Sequence, residues 1–111
     1  MIELIILNYL KAHGIDAHLE MPKNLPSFPF VIVEKTGSAY SNRLTTSMLA
    51  IQSYAASMYE TIQLNETVKQ IMNDAVELSE ITHVSLNGDY NFTDTNTKRY
   101  RYQAVFDITH Y

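Results

Sequence analysis

The chain has 111 residues, of which 46% are hydrophobic and 18% are charged, and it contains no cysteine. This length and composition predict one folded domain over residues 1–111 and argue against a disordered chain. The lack of cysteine excludes disulfides, thiolate catalysis and cysteine-bound zinc, and a formal charge of −4 argues against a nucleic-acid binder with a broad basic surface.

The first element predicted is a helix over residues 1–13, because apolar side chains recur there at helical spacing. Gly14 is placed to cap its C-terminus. The apolar start of the chain lacks the basic segment and the small-residue cleavage site of a signal peptide. No apolar run approaches the ~20 residues of a membrane span, so we expect no contact with a membrane.

Three strands are predicted next. Residues 15–21 alternate apolar and polar side chains, which is typical of a half-buried strand. The continuous apolar run at 30–33 predicts a strand that is covered on both faces. A loop rich in turn residues is expected at 37–42, followed by a longer strand over 43–55.

A second helix is predicted to start at Ser57, where Ser57-Met58-Tyr59-Glu60 fits a capping box. An apolar stripe then continues for ~20 residues, which indicates a helix that packs on the core. The stripe comprises Leu64, Val68, Ile71, Ala75 and Leu78, widened by Met58, Ile62, Met72 and Val76. Strands are predicted over 81–87 and 98–110, with a polar loop over 88–97 between them.

The predicted order of elements is α-β-β-β-α-β-β. Its strand connections are too short for a series of parallel crossovers. We therefore predict an α+β fold in which a largely antiparallel sheet carries both helices on one face.

The sequence contains no motif that predicts catalysis, a cofactor or a metal. The histidines (His13, His18, His83 and His110) do not show the spacing of converging metal ligands. Gly37-Ser38 lacks the second glycine of a nucleophile elbow, and glycine-rich phosphate loops are absent. We expect no enzymatic activity, with a small enzyme or ligand-binding domain as the alternative.

Basic and aromatic residues alternate in Lys98-Arg99-Tyr100-Arg101-Tyr102, which is compatible with a platform for single-stranded nucleic acid. In a strand, however, this alternation places the arginines on one face and the tyrosines on the other. The chain has eight tyrosines and no tryptophan. Tyrosine is enriched at protein interfaces, so the composition favours assembly with other chains.

Several segments carry a resemblance to a known group of proteins. They are FVIVEKTG at 30–37, AIQSYA at 50–55, LNGDYNFTD at 86–94 and RYRYQAVFDI at 99–108. Together they resemble small proteins of the head–tail connector and tail-completion region of long-tailed phages and prophages of Gram-positive bacteria. The most similar type is the tail terminator, or minor tail protein, of siphophages, and the resemblance runs from about residue 20 to the end.

This resemblance implies a structural virion protein that forms a ring, typically a hexamer, at the head-proximal end of the tail tube. The ring would cap the tube and join it to the head connector, and DNA would pass through its lumen without specific recognition. The implied partners are other copies of the chain, the tail tube protein and connector proteins, in the host cytoplasm during assembly and then in the tail or neck of the virion. The alternatives are another connector or minor tail protein, or an unrelated α+β adaptor.

The loops at 37–42 and 88–97 are the predicted contacts above and below such a ring. The candidate assembly residues are Gly37, Ser38, Tyr40, Asn42, Arg43, Asp89, Tyr90, Arg99 and Arg101. Because the two late arginines face away from the predicted core, replacing both with glutamate is expected to impair assembly and leave the fold intact.

Overall fold

A computed structural model describes residues 1–23, 28–94, 96–97 and 99–111. The elements are α1 (Ile2–Ala12), β1 (Ala17–His18), β2 (Phe30–Ser41), β3 (Leu44–Ala55), α2 (Met58–Asn73) with a 3₁₀ turn (Asp74–Glu77), β4 (Ile81–Asn91) and β5 (Tyr100–His110). The predicted order is therefore confirmed. Residues 24–27, between the strands predicted at 15–21 and 30–33, lie outside the described residues.

The strands form one sheet in the order β1-β2-β3-β5-β4. The short strand β1 pairs with β2 in parallel, and the other three pairings are antiparallel. Residues of α1 and α2 share one hydrophobic core with a single face of the sheet, which confirms the predicted α+β class with both helices on one face.

The alternation of side chains along the strands divides the sheet into two faces. Val31 and Val33 of β2 lie in the core beneath the helices, whereas Phe30 and Ile32 point to the other face. There they form a smaller cluster with Tyr54. The run at 30–33 is thus covered on both faces, as predicted.

Both predicted helix boundaries are confirmed by hydrogen bonds at the ends. Gly14 has φ +82°, and its N–H donates to the Lys11 carbonyl at 3.0 Å, in the left-handed conformation that glycine adopts most readily. The Ser57 hydroxyl accepts from the Glu60 backbone N–H at 3.2 Å. The prediction that Ile62 and Val76 widen the apolar stripe is wrong, since they are 41% and 47% exposed.

Three predicted strand and loop boundaries are also wrong. The strand expected at 15–21 is reduced to Ala17–His18, because only that segment pairs with β2. The loop expected at 37–42 is instead the end of β2, which continues to Ser41. The loop expected at 88–97 begins later, because β4 continues to Asn91. Polar composition suggested loops at both places, yet these are exposed ends of paired strands.

The β2–β3 hairpin extends beyond the core, and we call residues 36–46 the arm. A two-residue turn closes it at Asn42 and Arg43, whose φ values are 53° and 66°. Positive φ at both positions is the geometry of a type I′ turn, which matches the twist of paired strands. The arm begins where the register between Lys35 and Gly37 shifts by a β-bulge.

Candidate assembly surfaces

The sheet has two long edges that lack a strand partner among the described residues. On one side, β1 covers only Val31 and Ile32 of β2, which leaves residues 33–41 unpaired at that edge. On the other side, β4 pairs with β5 and with no further strand. Unpaired edges of this kind present rows of backbone N–H and C=O groups that can pair with another chain.

The two open edges run in opposite directions. Each neighbouring pair from β2 through β3 and β5 to β4 is antiparallel, so β2 and β4 are themselves antiparallel. A second sheet placed beside the first in the same orientation would therefore meet β4 with an antiparallel β2. The alternation of strand directions would continue across the contact.

Edge strand β4 lacks most of the devices that natural proteins use to prevent edge pairing. Residues 81–91 contain no lysine, arginine or proline, the residues that commonly protect an edge. Two β-bulges are present, between Ile81 and His83 and between Leu86 and Gly88. The single acidic side chain, Asp89, is directed to α2 and not to solvent.

Asp89 joins β4 to α2 through a small polar cluster. Its Oδ2 accepts from Asn65 Nδ2 at 2.9 Å and from Lys69 Nζ at 3.0 Å, and Lys69 also donates to Glu66 at 2.8 Å. These hydrogen bonds raise the pKa of Lys69, with the bond to Glu66 the larger cause and the bond to Asp89 the next. Asp89, predicted as an assembly contact, thus has an internal structural role.

A groove of about 270 Å³ lies between α2 and β4. Its floor is apolar and is formed by Val84, Leu86 and Phe106, while Glu66, Lys69, Gln70 and Asn73 of α2 form its polar rim. Leu86 is 44% exposed, so part of this floor is open to solvent. Sequence reasoning missed the groove, although an exposed leucine in a strand without charged neighbours was a signal for it.

The predicted contact residues at 37–43 all lie in the arm. Gly37, Ser38 and Tyr40 belong to β2, and Asn42 and Arg43 form its turn. Tyr40 is 72% exposed. Arg43 carries the only charge between Thr36 and Met48, so the arm is an uncharged strand pair with one basic residue at its tip.

Arg101 does not project freely from the sheet. Its Nε donates to the Phe92 carbonyl at 2.8 Å, and its Nη1 donates to Tyr54 Oη at 3.1 Å. The guanidinium carbon lies 4.2 Å from the centre of the Phe92 ring, within cation–π distance. Arg101 thus stabilises the end of the β4–β5 hairpin, where the backbones of Asp94 and Arg99 form an isolated antiparallel β-bridge.

Asp94 helps to shape the same hairpin end. Its Oδ1 accepts from the Asn96 backbone N–H at 2.9 Å and from the Thr97 N–H at 3.4 Å. These donors, with Asn96 the largest cause, lower the pKa of Asp94. The carboxylate organises the turn locally, as aspartate commonly does.

A polar row crosses the helix-free face. Gln52 Nε2 donates to Gln103 Oε1 at 2.9 Å and to Glu34 Oε2 at 3.4 Å, and Gln103 donates to the Tyr90 hydroxyl. The row therefore joins β2, β3, β5 and β4. Gln103 is only 8% exposed, although it lies on the face without helices.

The arm and Arg101 lie at opposite ends of the sheet. The arm is beside Thr45 and its partner His110, whereas Arg101 pairs with Tyr54 and Tyr100 with Ala55. Thr45 and Ala55 are ten positions apart along β3, which is about 30 Å at the rise of an extended chain. Asp89 lies between these ends, since it pairs with Ala104, which pairs with Ile51.

The described residues contain no cluster of three or more His, Asp or Glu side chains placed to hold a metal ion. His110 has a local partner instead, since its Nε2 lies 2.8 Å from Ser47 Oγ. In the same described part of the chain, neither helix has the length and apolar character needed to cross a bilayer.

Comparison with known proteins adds no family to this description. No protein-family model matches the chain, and no curated protein matches it.

Proposed function

We propose that this chain is a structural subunit of a phage tail, of the tail-terminator type, which forms a ring with other copies of itself. The ring would cap the tail tube and join it to the head connector. The phage context comes from the sequence resemblance at 30–37, 50–55, 86–94 and 99–108. The geometry of the sheet edges supplies the support for ring formation.

The observation that carries the proposal is the pair of open, oppositely directed edges on the two sides of one sheet. Contact between unlike surfaces on successive subunits is head-to-tail, and it closes into a ring when the rotation per subunit divides a full turn. With β4 against β2 of the next copy, all helices would remain on the same face of a continuous sheet. An edge-to-edge contact of this kind gains main-chain hydrogen bonds without any catalytic or ligand-binding chemistry.

The positions of the arm and of the β4–β5 hairpin fit the same role. They lie at the two ends of the strands, about 30 Å apart, so the turn of the arm and the end of the hairpin would lie at opposite rims of a ring whose wall is the sheet. One rim could then contact the tail tube and the other the connector. A formal charge of −4 is compatible with a lumen that lets DNA pass without gripping phosphate.

Size measurement in solution by light scattering, joined to negative-stain imaging, tests the proposal with and without isolated tail tubes. The expected result is a ring of uniform size, either alone or on the tube ends. A chain that stays monomeric under both conditions and leaves tube length uncontrolled would overturn the proposed function.

Two leucines of nearly equal exposure provide a matched pair of variants. Leu86 on β4 is 44% exposed and Leu4 on α1 is 43% exposed. Leu86→Lys places a charge on the edge strand and should abolish rings, whereas Leu4→Lys should leave them unchanged. Equal loss in both variants would point to a general effect of surface charge and would remove the support for the β4 edge.

A further inference from the structure

We propose that the groove between α2 and β4 is the socket for the arm of the neighbouring copy, with Tyr40 as the side chain that enters it. This inference rests on the proposed ring, because it names the residues that would join successive subunits. Its partner is a second copy of this chain, bound by edge pairing and by one aromatic anchor.

The lining of the groove suits an aromatic side chain. The groove volume of about 270 Å³ is near the lower end of the ≈ 300–1,000 Å³ typical of small-molecule sites. The groove is lined by residues of β4, the terminal strand of the sheet, and its apolar floor includes the exposed Leu86. An aromatic ring would cover that floor, and the rim residues Gln70 and Asn73 could bond a phenolic hydroxyl.

Tyr40 lies on the correct face of the sheet for this contact. It pairs with Thr45, which in turn pairs with His110, and His110 pairs with Ile81. Directly paired residues share a face, and Ile81 belongs to the core under the helices. Tyr40 therefore points to the helix side, which is the side on which the groove opens.

A register with Tyr40 opposite Val84, one of the groove residues, matches the faces of both strands. In an antiparallel pairing, Tyr40 opposite Val84 also places Ser38 opposite Leu86. Val84 and Leu86 both pair with core-facing residues of β5, namely Ile108 and Phe106. All four side chains would then lie on the helix side of the joined sheet.

The charges near the two strands are complementary in the same register. It brings the arm turn, with the basic Arg43, to the start of β4. The exposed acids Glu77 and Glu80 precede that strand, and neither belongs to an ion pair within the described residues. A partner arm would supply the positive charge, which steers association and fixes its direction.

Engineered disulfides test this register directly, because the natural chain has no cysteine. The double variant Ser38→Cys, Leu86→Cys places one thiol on each proposed edge. Directly opposite residues of an antiparallel pair come close enough for a disulfide. The matched control is Ser38→Cys, Ser85→Cys, whose second thiol points to the other face of β4.

The variants are mildly oxidised with and without tail tubes. Non-reducing electrophoresis then measures the covalent oligomers that form. The inference expects a ladder of covalent oligomers that ends at the ring size, at several times the yield of the control. Covalent dimers from Leu86→Cys alone would indicate symmetric β4–β4 pairing and overturn the inference. Rings without a ladder would overturn it while leaving the proposed function intact, and the loss of both would overturn both.

Variants of Tyr40 provide a second measurement. Tyr40→Ala should weaken association about tenfold or more, as loss of an aromatic anchor does, while Tyr40→Phe should keep most of it. Because Tyr40 is 72% exposed, neither change should alter the unfolding midpoint of the isolated chain. Unchanged association in Tyr40→Ala would overturn the role of this residue.

Discussion

The first four and the last eight residues of strand β2 differ sharply in burial. Its first four residues, Phe30–Val33, are buried on both faces, whereas all of the next eight are exposed except the half-buried Gly37. The first half is held by apolar side chains in two clusters. The second half is held by pairing with β3 and by a two-residue turn.

This difference distinguishes the residues that form the hydrophobic core from those that are exposed and free to contact another chain. The helices and the body of the sheet enclose the core without using the arm. An isolated hairpin is marginally stable in water, but β3 remains paired with β5 as far as Thr45, which holds most of the arm in place. A paired segment beyond the core, whose one charge is Arg43 at its tip, is therefore an element that can contact another chain.

We call the folded chain outside the arm the body. The largest difference between the body and the arm is expected in the free energy of unfolding. Phe106→Ala removes a ring that is 2% exposed and should destabilise the chain by about 3–5 kcal/mol. Tyr40→Ala in the arm should change stability by no more than about 0.5 kcal/mol. Urea unfolding followed by circular dichroism measures both, and similar losses would mean that the arm is part of the cooperative core.

Asp89→Ala tests whether Asp89, a polar residue on the edge strand β4, contributes to the stability of the fold. The change leaves the amide of Asn65, which is 1% exposed, without its hydrogen-bond acceptor. A cost of about 1–3 kcal/mol is expected for a buried donor left unpaired. Glu66→Ala removes the other acid beside Lys69 at a more exposed site and should cost less than about 1 kcal/mol, and equal costs would contradict the structural role of Asp89.

Alanine variants of Arg101 and Arg99 are expected to differ in the free energy of unfolding, measured in the same way. Arg101→Ala loses two hydrogen bonds and the contact with the Phe92 ring, at an expected cost of about 1–2 kcal/mol. Arg99→Ala should stay within about 0.5 kcal/mol. If both variants unfold at the same urea concentration, the two arginines are equivalent surface residues, as the sequence pattern alone suggested.

The sequence predicted the body well because its signals are local. The capping box at Ser57, the glycine after α1 and the apolar run at 30–33 each follow from the chemistry of a few neighbouring residues. The facing of β5 was also predictable, since the core residues Ala104, Phe106 and Ile108 alternate with Gln103, Val105, Asp107 and Thr109, of which only Val105 is apolar. These elements suffice for the α+β class.

The candidate surfaces were predicted less completely because they depend on pairing between distant segments. Residues 37–41 look like a loop in isolation, and only pairing with 44–48 makes them a strand. The role of Asp89 depends on Asn65 and Lys69 of another element, and the groove depends on α2 lying beside β4. No local sequence pattern encodes such contacts. Polar residues that belong to exposed strand ends were therefore predicted to form turns.

The smallest effect, and the one that separates folding from assembly most cleanly, is expected from Arg43→Gly. Arg43 has φ 66°, and glycine adopts this conformation without steric cost. Asn-Gly is also the preferred pair for this turn, so stability should be unchanged or should rise by up to about 1 kcal/mol. Association should nevertheless weaken by about 1.4- to 5-fold, because an exposed ion pair contributes about 0.2–1 kcal/mol.

Arg43→Lys is the matched control, since it keeps the charge at the tip and should keep most of the association. Sedimentation equilibrium at two salt concentrations measures the effect, and added salt should reduce the difference between wild type and Arg43→Gly, because it screens exposed charges. A stable Arg43→Gly chain that assembles as well as the wild type at low salt would show that the arm acts through its backbone and Tyr40 alone. A destabilised Arg43→Gly chain would show that Arg43 stabilises the turn. The turn would then contribute to folding as well as to assembly.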